Sequence, residues 1–184
     1  MQSKSKLNTP EFTSDFENRF QEMTQVTNKP NAQMMHWLLD KGSLTQKLIN
    51  HFGDFKVEVV FEGWITSYQA KRFFRHALKD KAFKVQKFWF RKVNLICNGH
   101  IVVRAHTLVP LQTFHNQTKR IGKLHSKSLG QFLFTHKHIK RHPITVSENN
   151  QIWGRQSIFN IRDYPLLVTE YFEPDFLSSK KLNS

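Results

Sequence analysis

Apolar positions change their spacing several times along the chain, and each change predicts an element. Near the start, Phe12, Phe16, Phe20 and Met23 recur at helical spacing, and Ser14 with Glu17 has the separation of a capping box. That pattern predicts a short amphipathic helix laid on the body of the protein. The rest of 1–32 is rich in Ser, Thr, Asn, Gln and Lys, is broken by Pro10 and Pro30, and reads as a variable arm. Residues 33–41 carry a helical pattern, which Gly42 is placed to end. A second helix follows at once. Ser43 and Gln46 repeat the capping spacing, Leu44, Leu48 and Phe52 share a face, and Gly53 closes the segment.

From residue 55 the period falls to two, with Val57, Val59 and Phe61 alternating with Lys56, Glu58 and Val60. Helical spacing returns over 67–79, where Ala70, Phe73, Phe74, Ala77 and Leu78 form one stripe. The clearest signal comes next: an apolar-rich run at 83–97, then Asn98-Gly99, then a second run at 100–109. Asn-Gly supplies the positive φ angles of a type I′ turn, so this is a β-hairpin, ended by Pro110. A polar, basic connection spans 111–129. Further strands are predicted at 132–135, 139–146, 157–161 and 166–172, the last two joined by a turn at 162–165, and the tail after Pro174 is polar. Strands linked by hairpins, with helices gathered in the first half, predict an α+β fold built on an antiparallel sheet. The expected organisation is an arm at 1–32, one domain at 33–174 and a polar tail at 175–184.

Composition narrows the function classes. The chain has 184 residues, enough for one well-filled core, and a net charge of +14 from 28 basic and 14 acidic residues. Such a balance suits an anionic partner, and with four Trp and 17 Phe it suggests RNA binding as one reading. The basic residues are spread along the whole chain, however, and form no block or helix face, so no nucleic-acid partner is expected. A diffuse positive field would equally raise the encounter rate of a small dianion. No apolar run approaches the ~20 residues of a membrane span, and the N-terminal stretch lacks the apolar core of a signal peptide. A cytoplasmic location and a monomer are expected. The lone Cys97 cannot form an internal disulfide and lies at the apolar end of a strand, as a core residue would. His136, His138 and His142 have no accompanying carboxylate or cysteine, and the basic residues around them would repel a metal. Neither a phosphate loop nor a dinucleotide fingerprint is present, so no cofactor is expected.

Two charged residues stand out because they interrupt apolar strand faces. Phe83, Val85, Trp89, Arg91, Val93, Leu95 and Cys97 share one face, and a guanidinium held there either meets a carboxylate or snorkels to solvent. Leu166, Val168, Glu170 and Phe172 share another. Glu170 is then a candidate for proton transfer or for binding a ligand hydroxyl, or else a structural partner of Arg91 or a rim residue.

Five segments in order resemble the chorismate pyruvate-lyase family: His36-Trp-Leu-Leu-Asp-Lys-Gly-Ser-Leu-Thr45; Phe88-Trp-Phe-Arg91 with Asn98-Gly99 and Thr107-Leu-Val-Pro110; Leu129-Gly-Gln-Phe-Leu-Phe-Thr135; Ile152-Trp-Gly-Arg155; and Pro165-Leu-Leu-Val-Thr-Glu-Tyr-Phe172. The resemblance implies one antiparallel sheet of about six strands, an internal site closed by flap-like segments, and conversion of chorismate to 4-hydroxybenzoate and pyruvate in ubiquinone synthesis without metal or cofactor. It also implies the site residues: Arg91 for the product's carboxylate, Glu170 for its 4-hydroxyl, and main-chain groups at Leu44 and Leu129; Arg91 and Glu170 are then the expected catalytic pair, with Glu170 placed to take the C4 proton. Where many members have methionine this chain has Leu44, and where many have arginine it has His106, for which Arg104 is a possible substitute. A small-molecule sensor domain of the same fold is the non-enzymatic alternative.

Overall fold

The computed structural model describes residues 20, 22–74, 87–116, 119–134, 138–149 and 152–177. The helix predicted within 12–23 falls almost wholly outside them, with a single 3-10 turn at Met23–Gln25. Helix α1 (Ala32–Leu38) starts on an Asn31 cap, whose side chain accepts from the Met34 N–H at 2.7 Å. It ends three residues earlier than expected, and Gly42 takes no left-handed conformation. Basic side chains close the end of α1, as described below. Helix α2 (Leu44–Phe52) is capped by Ser43, which accepts from the Gln46 N–H, and is closed by Gly53 at φ 83, as its spacing predicted.

Among the described residues, seven strands form one antiparallel sheet: β1 (Lys56–Thr66), β2 (Lys87–Cys97), β3 (His100–Pro110), β4 (Ile139–Arg141), β5 (Thr145–Asn149), β6 (Ile152–Ile161) and β7 (Tyr164–Phe172). The spatial order is β1-β2-β3-β7-β6-β4, with β5 also paired to β6. Helix α3 (Ser67–Phe74) follows β1, helix α4 (Leu111–Asn116) follows β3, and helix α5 (Leu129–Phe134) precedes β4. Asn98 and Gly99 turn the β2–β3 hairpin with both φ angles positive, 49° and 78°.

Two strand predictions need correction. Residues 132–135 were expected to be a strand, yet 129–134 is helix α5. Its start repeats the signal that marks α2, with Ser128 Oγ accepting from the Gln131 N–H at 3.2 Å. The single strand expected at 139–146 is two strands that pair with successive stretches of β6, separated around Pro143, which has no N–H to donate to a ladder.

The simple alternation expected in β1 also fails, for an informative reason. The pairing of β1 with β2 shifts register between Val59 and Phe61, so a bulge reverses which residues face which side. Val57 packs on one face, in a core cluster with Leu44, Val93, Leu95 and Ala105. Phe61, beyond the bulge, packs on the other face against Ile65, Phe88, Phe90, Leu108 and Leu167, the cluster that also takes Ala70 of α3. A third cluster, with Leu133, Phe159, Val168 and Val109, joins α5 to the far half of the sheet. Val26 and Phe176, outside 33–174, are both buried in the first cluster, and Phe176 meets Trp37 edge-on at 4.7 Å.

Candidate functional site

The strand register places the charged residues. Across the sheet, Glu62, Arg91, Thr107, Val168 and Ser157 fall in one row, and Val93, Ala105, Glu170 and Arg155 in the next. Arg91 therefore faces Glu62 directly across β1 and β2, and Glu170 faces Arg155 directly across β7 and β6. Both are cross-strand ion pairs. Glu62 reaches Arg91 only because the β1 bulge turned it to this face. The Glu170–Arg91 salt bridge considered from sequence does not form. The two residues stand two strands and two positions apart, roughly 12 Å between Cα atoms at the usual ~4.8 Å strand spacing and ~3.3 Å rise.

At the first end of the site, the Arg91 side chain is 2% exposed and its Nε donates to Glu62 Oε2 at 3.0 Å. Nη2 donates to the main-chain carbonyls of His125 and Lys127, at 2.5 and 3.0 Å. His125 holds a left-handed φ of 46°, a conformation uncommon outside glycine, in the segment leading into α5. Burial pulls the Arg91 pKa below its ordinary value and the Glu62 charge opposes the shift.

At the second end, Arg155 Nε donates to Glu170 Oε2 at 2.5 Å, and Arg155 Nη1 donates to the carbonyls of Trp37 and Asp40, both at 2.9 Å. Arg141 lies beside it. Its Nε and Nη2 both donate to Ser157 Oγ, its Nη1 donates to the Asp40 carbonyl at 3.2 Å, and its guanidinium sits 5.1 Å from the centre of the Phe159 ring. Lys47 Nζ donates to the His36 carbonyl at 2.8 Å and pairs with Asp40. These three cations satisfy carbonyls at and just beyond the end of α1, where a helix leaves its last C=O groups without partners. Burial raises the Asp40 carboxyl, but hydrogen bonds from Lys47 and the Gly42 N–H, with the Lys47 and Arg155 charges, outweigh it and hold the pKa below the ordinary value.

Between the two ends lies a partly enclosed cavity of about 50 Å³, several times the roughly 10–15 Å³ that admits one water. Its floor is the sheet, with Arg91, Arg141, Arg155 and Glu170 set among Val93, Leu95, Ala105 and Val168. Its cover comes from two segments, Gly42 to Thr45 at the start of α2 and Ser128 to Phe134 in α5. The covers touch closely: a Cβ on Gly130 would stand 3.0 Å from Thr45 Oγ1 and 3.3 Å from Ser43 Oγ. A mostly apolar chamber with a few convergent polar groups is the usual form of a small-molecule site.

All four residues singled out from sequence, Leu44, Arg91, Leu129 and Glu170, line this cavity. Sequence reasoning missed the roles of Glu62, Arg141 and Arg155. Arg155 was within reach of detection, because it is the one charged residue of 152–161 and shares a strand face with Trp153, Phe159 and Ile161. Arg104 and His106 do not reach the site. Their strand neighbours Ala105 and Thr107 line the cavity, so 104 and 106 project from the opposite face, where Arg104 pairs with Glu173 and His106 meets Phe90 and Tyr171. Neither can supply a second anion contact there. Cys97 is fully buried and burial, then Asp54, raises its pKa to about 11, in keeping with a core thiol. His136 lies outside the described residues, and His138 sits in the turn before β4. Among the described residues no group of His, Cys, Asp and Glu is arranged to hold a metal, and no helix is long and apolar enough to cross a membrane.

The family model for chorismate lyase matches residues 17–181. The chain belongs to the chorismate lyase family. A probable chorismate pyruvate-lyase of Psychromonas ingrahamii is 31% identical over 83% of this chain and 88% of its own length. One from Methylococcus capsulatus is 30% identical over 79% of this chain and 97% of its own. The chorismate pyruvate-lyase of Shigella sonnei is 26% identical over 78% and 84%. Among solved structures, the effector domain of PhnF from Mycobacterium smegmatis covers 74% of this chain and 91% of its own, at a TM-score of 0.48 and 12% identity. Membership of the chorismate lyase family places the chain among lyases.

Proposed function

We propose that this protein converts chorismate to 4-hydroxybenzoate and pyruvate, supplying the aromatic precursor for ubiquinone synthesis. The observation that carries this reading is the pairing of a cation and a carboxylate at opposite ends of one cavity. Arg91 has Nη1 without a partner among the described residues, and Glu170 has Oε1 equally unengaged. A Cα separation of roughly 12 Å leaves room between them for a ring with a carboxylate at C1 and a hydroxyl at C4. The planar fork of Arg91 takes the ring carboxylate, which is present from substrate to product. Glu170 takes the C4 hydroxyl, with the C4 proton beside it.

The reaction removes the C4 proton, breaks the C3–O bond and expels enolpyruvate, which takes up a proton at its methylene carbon to become pyruvate. Because the ring becomes aromatic, the chemistry is strongly downhill and asks mainly for orientation and exclusion of water. The fold supplies both. The Arg155 bond fixes the Glu170 carboxylate, leaving Oε1 to act on the substrate, and the two covers shield much of the cavity. Main-chain groups of Leu44 and Leu129, one on each cover, complete the pocket. The test is direct: purified protein given chorismate should release 4-hydroxybenzoate and pyruvate in equal amounts. No turnover, together with tight and steeply salt-dependent RNA binding, would instead favour the nucleic-acid reading.

A further inference from the structure

The Glu170 end of the cavity holds more positive charge than its carboxylates balance. Arg91 has Glu62 and Arg155 has Glu170, but Arg141, half-buried, makes no ion pair among the described residues. Its contacts are a serine hydroxyl, a main-chain carbonyl and the Phe159 ring, all of them neutral. Its neighbour Arg155 repels it. Burial and then the Arg155 charge lower the Arg141 pKa to about 10, against the opposing pull of Glu170 and Asp40. A partly buried cation with no carboxylate in direct contact is costly, and an anion bound beside it would offset that cost.

Arg141 is also held rigidly. Three of its five N–H groups are committed, and Ser157 Oγ, itself in a buried residue, accepts two of them. Arg155 likewise commits Nε and both N–H groups of Nη1, leaving Nη2 without a partner among the described residues. Two preorganised guanidiniums thus keep donors in reserve at one end of the cavity they line.

The geometry of the substrate indicates what fills this place. In chorismate the enolpyruvyl ether is on C3, next to the C4 hydroxyl that Glu170 takes, so its carboxylate can reach the groups beside Glu170. Arg155 touches Glu170, and Arg141 is beside Arg155. We propose that Arg141 and Arg155 form a second anion subsite, which takes the enolpyruvyl carboxylate and thereby distinguishes substrate from product. The inference rests on the lyase reading and deepens it. Chorismate engages both anion subsites, 4-hydroxybenzoate engages Arg91 and Glu170 but not the Arg141–Arg155 pair, and pyruvate engages only that pair.

The test compares the affinities of chorismate, 4-hydroxybenzoate and pyruvate. Arg141→Gln should raise the KM for chorismate about tenfold or more, as loss of a charge-assisted contact does, and leave the inhibition constant of 4-hydroxybenzoate unchanged. Arg141→Lys should recover part of the loss. A folded Arg141→Gln with unchanged KM, or one that loses chorismate and 4-hydroxybenzoate in parallel, would overturn the subsite. If neither variant folds, the wild-type protein decides. Pyruvate should then compete with chorismate but bind together with 4-hydroxybenzoate, and mutually exclusive binding of pyruvate and 4-hydroxybenzoate would overturn it. A wild-type protein inert toward chorismate would overturn the lyase reading instead, and calorimetry of pyruvate with 4-hydroxybenzoate already bound would still decide the subsite.

Discussion

At the Arg91 end of the cavity a guanidinium faces Glu62 across β1 and β2 and holds the carbonyls of His125 and Lys127, just before the α5 cover. At the Glu170 end Arg155 faces Glu170 across β6 and β7 and holds the carbonyls of Trp37 and Asp40, just before the α2 cover. The construction is the same: one cross-strand ion pair, with one arginine tying the sheet to a covering segment. The difference is which partner is left to meet the ligand. At the first end the carboxylate occupies the arginine's Nε and the cation keeps a free edge, a place for an anion. At the second, the arginine occupies one carboxylate oxygen and the other oxygen is left for a proton or hydroxyl. In the proposed reaction, one motif used in two orientations yields a binding end and a reacting end.

Removing the cation of the binding end should have the largest effect. Arg91→Ala is expected to weaken chorismate and 4-hydroxybenzoate alike by roughly 2–5 kcal/mol, because it removes a contact made throughout the reaction and strands Glu62. Titration calorimetry with 4-hydroxybenzoate measures this. A variant that still binds product normally would break the assignment of the two ends. At the reacting end Glu170→Gln keeps size and a hydrogen bond to Arg155 but loses basicity, so kcat should fall about a hundredfold or more with little change in KM. Near-wild-type kcat would reduce Glu170 to a hydroxyl anchor.

A smaller effect tests the covers. Gly130→Ala places a methyl against Thr45 Oγ1 and Ser43 Oγ, so it should push α5 from α2 and cost about 1–3 kcal/mol, read as a lower Tm and faster release of 4-hydroxybenzoate. Unchanged release would mean that the covers open independently. The smallest effect on activity belongs to the opposite face of the sheet. There burial, then Lys92 and Arg104, lowers the His106 pKa from 6.5 to about 3. The unfolded chain binds that proton first, so stability is full above pH 6.5 and declines as pH falls from 6.5 toward 3. His106→Asn should flatten this part of the acid melting profile without altering chorismate KM. A change in KM would tie the two faces together.

Much of this molecule follows from local sequence. Asn98-Gly99 fixes a hairpin because its residues tolerate positive φ, and Ser43 with Gln46 fixes a helix start because the side chain reaches a nearby N–H. The inward position of Arg91 and Glu170 follows from strand period alone. What local sequence could not decide was partnership. Glu62 meets Arg91 because a bulge shifts the β1 register by one residue, and such shifts are settled by packing of the whole sheet. Residues 129–134, apolar and short, fit either period, and only the Ser128 cap and the cavity beneath them select a helix. Arg155 and the Trp37 carbonyl lie 118 residues apart in sequence, so their bond carries no local signature. Sequence determined which charges face inward, because side-chain direction is set within a few residues; tertiary structure decided what each charge meets, because register and closure are properties of the whole sheet.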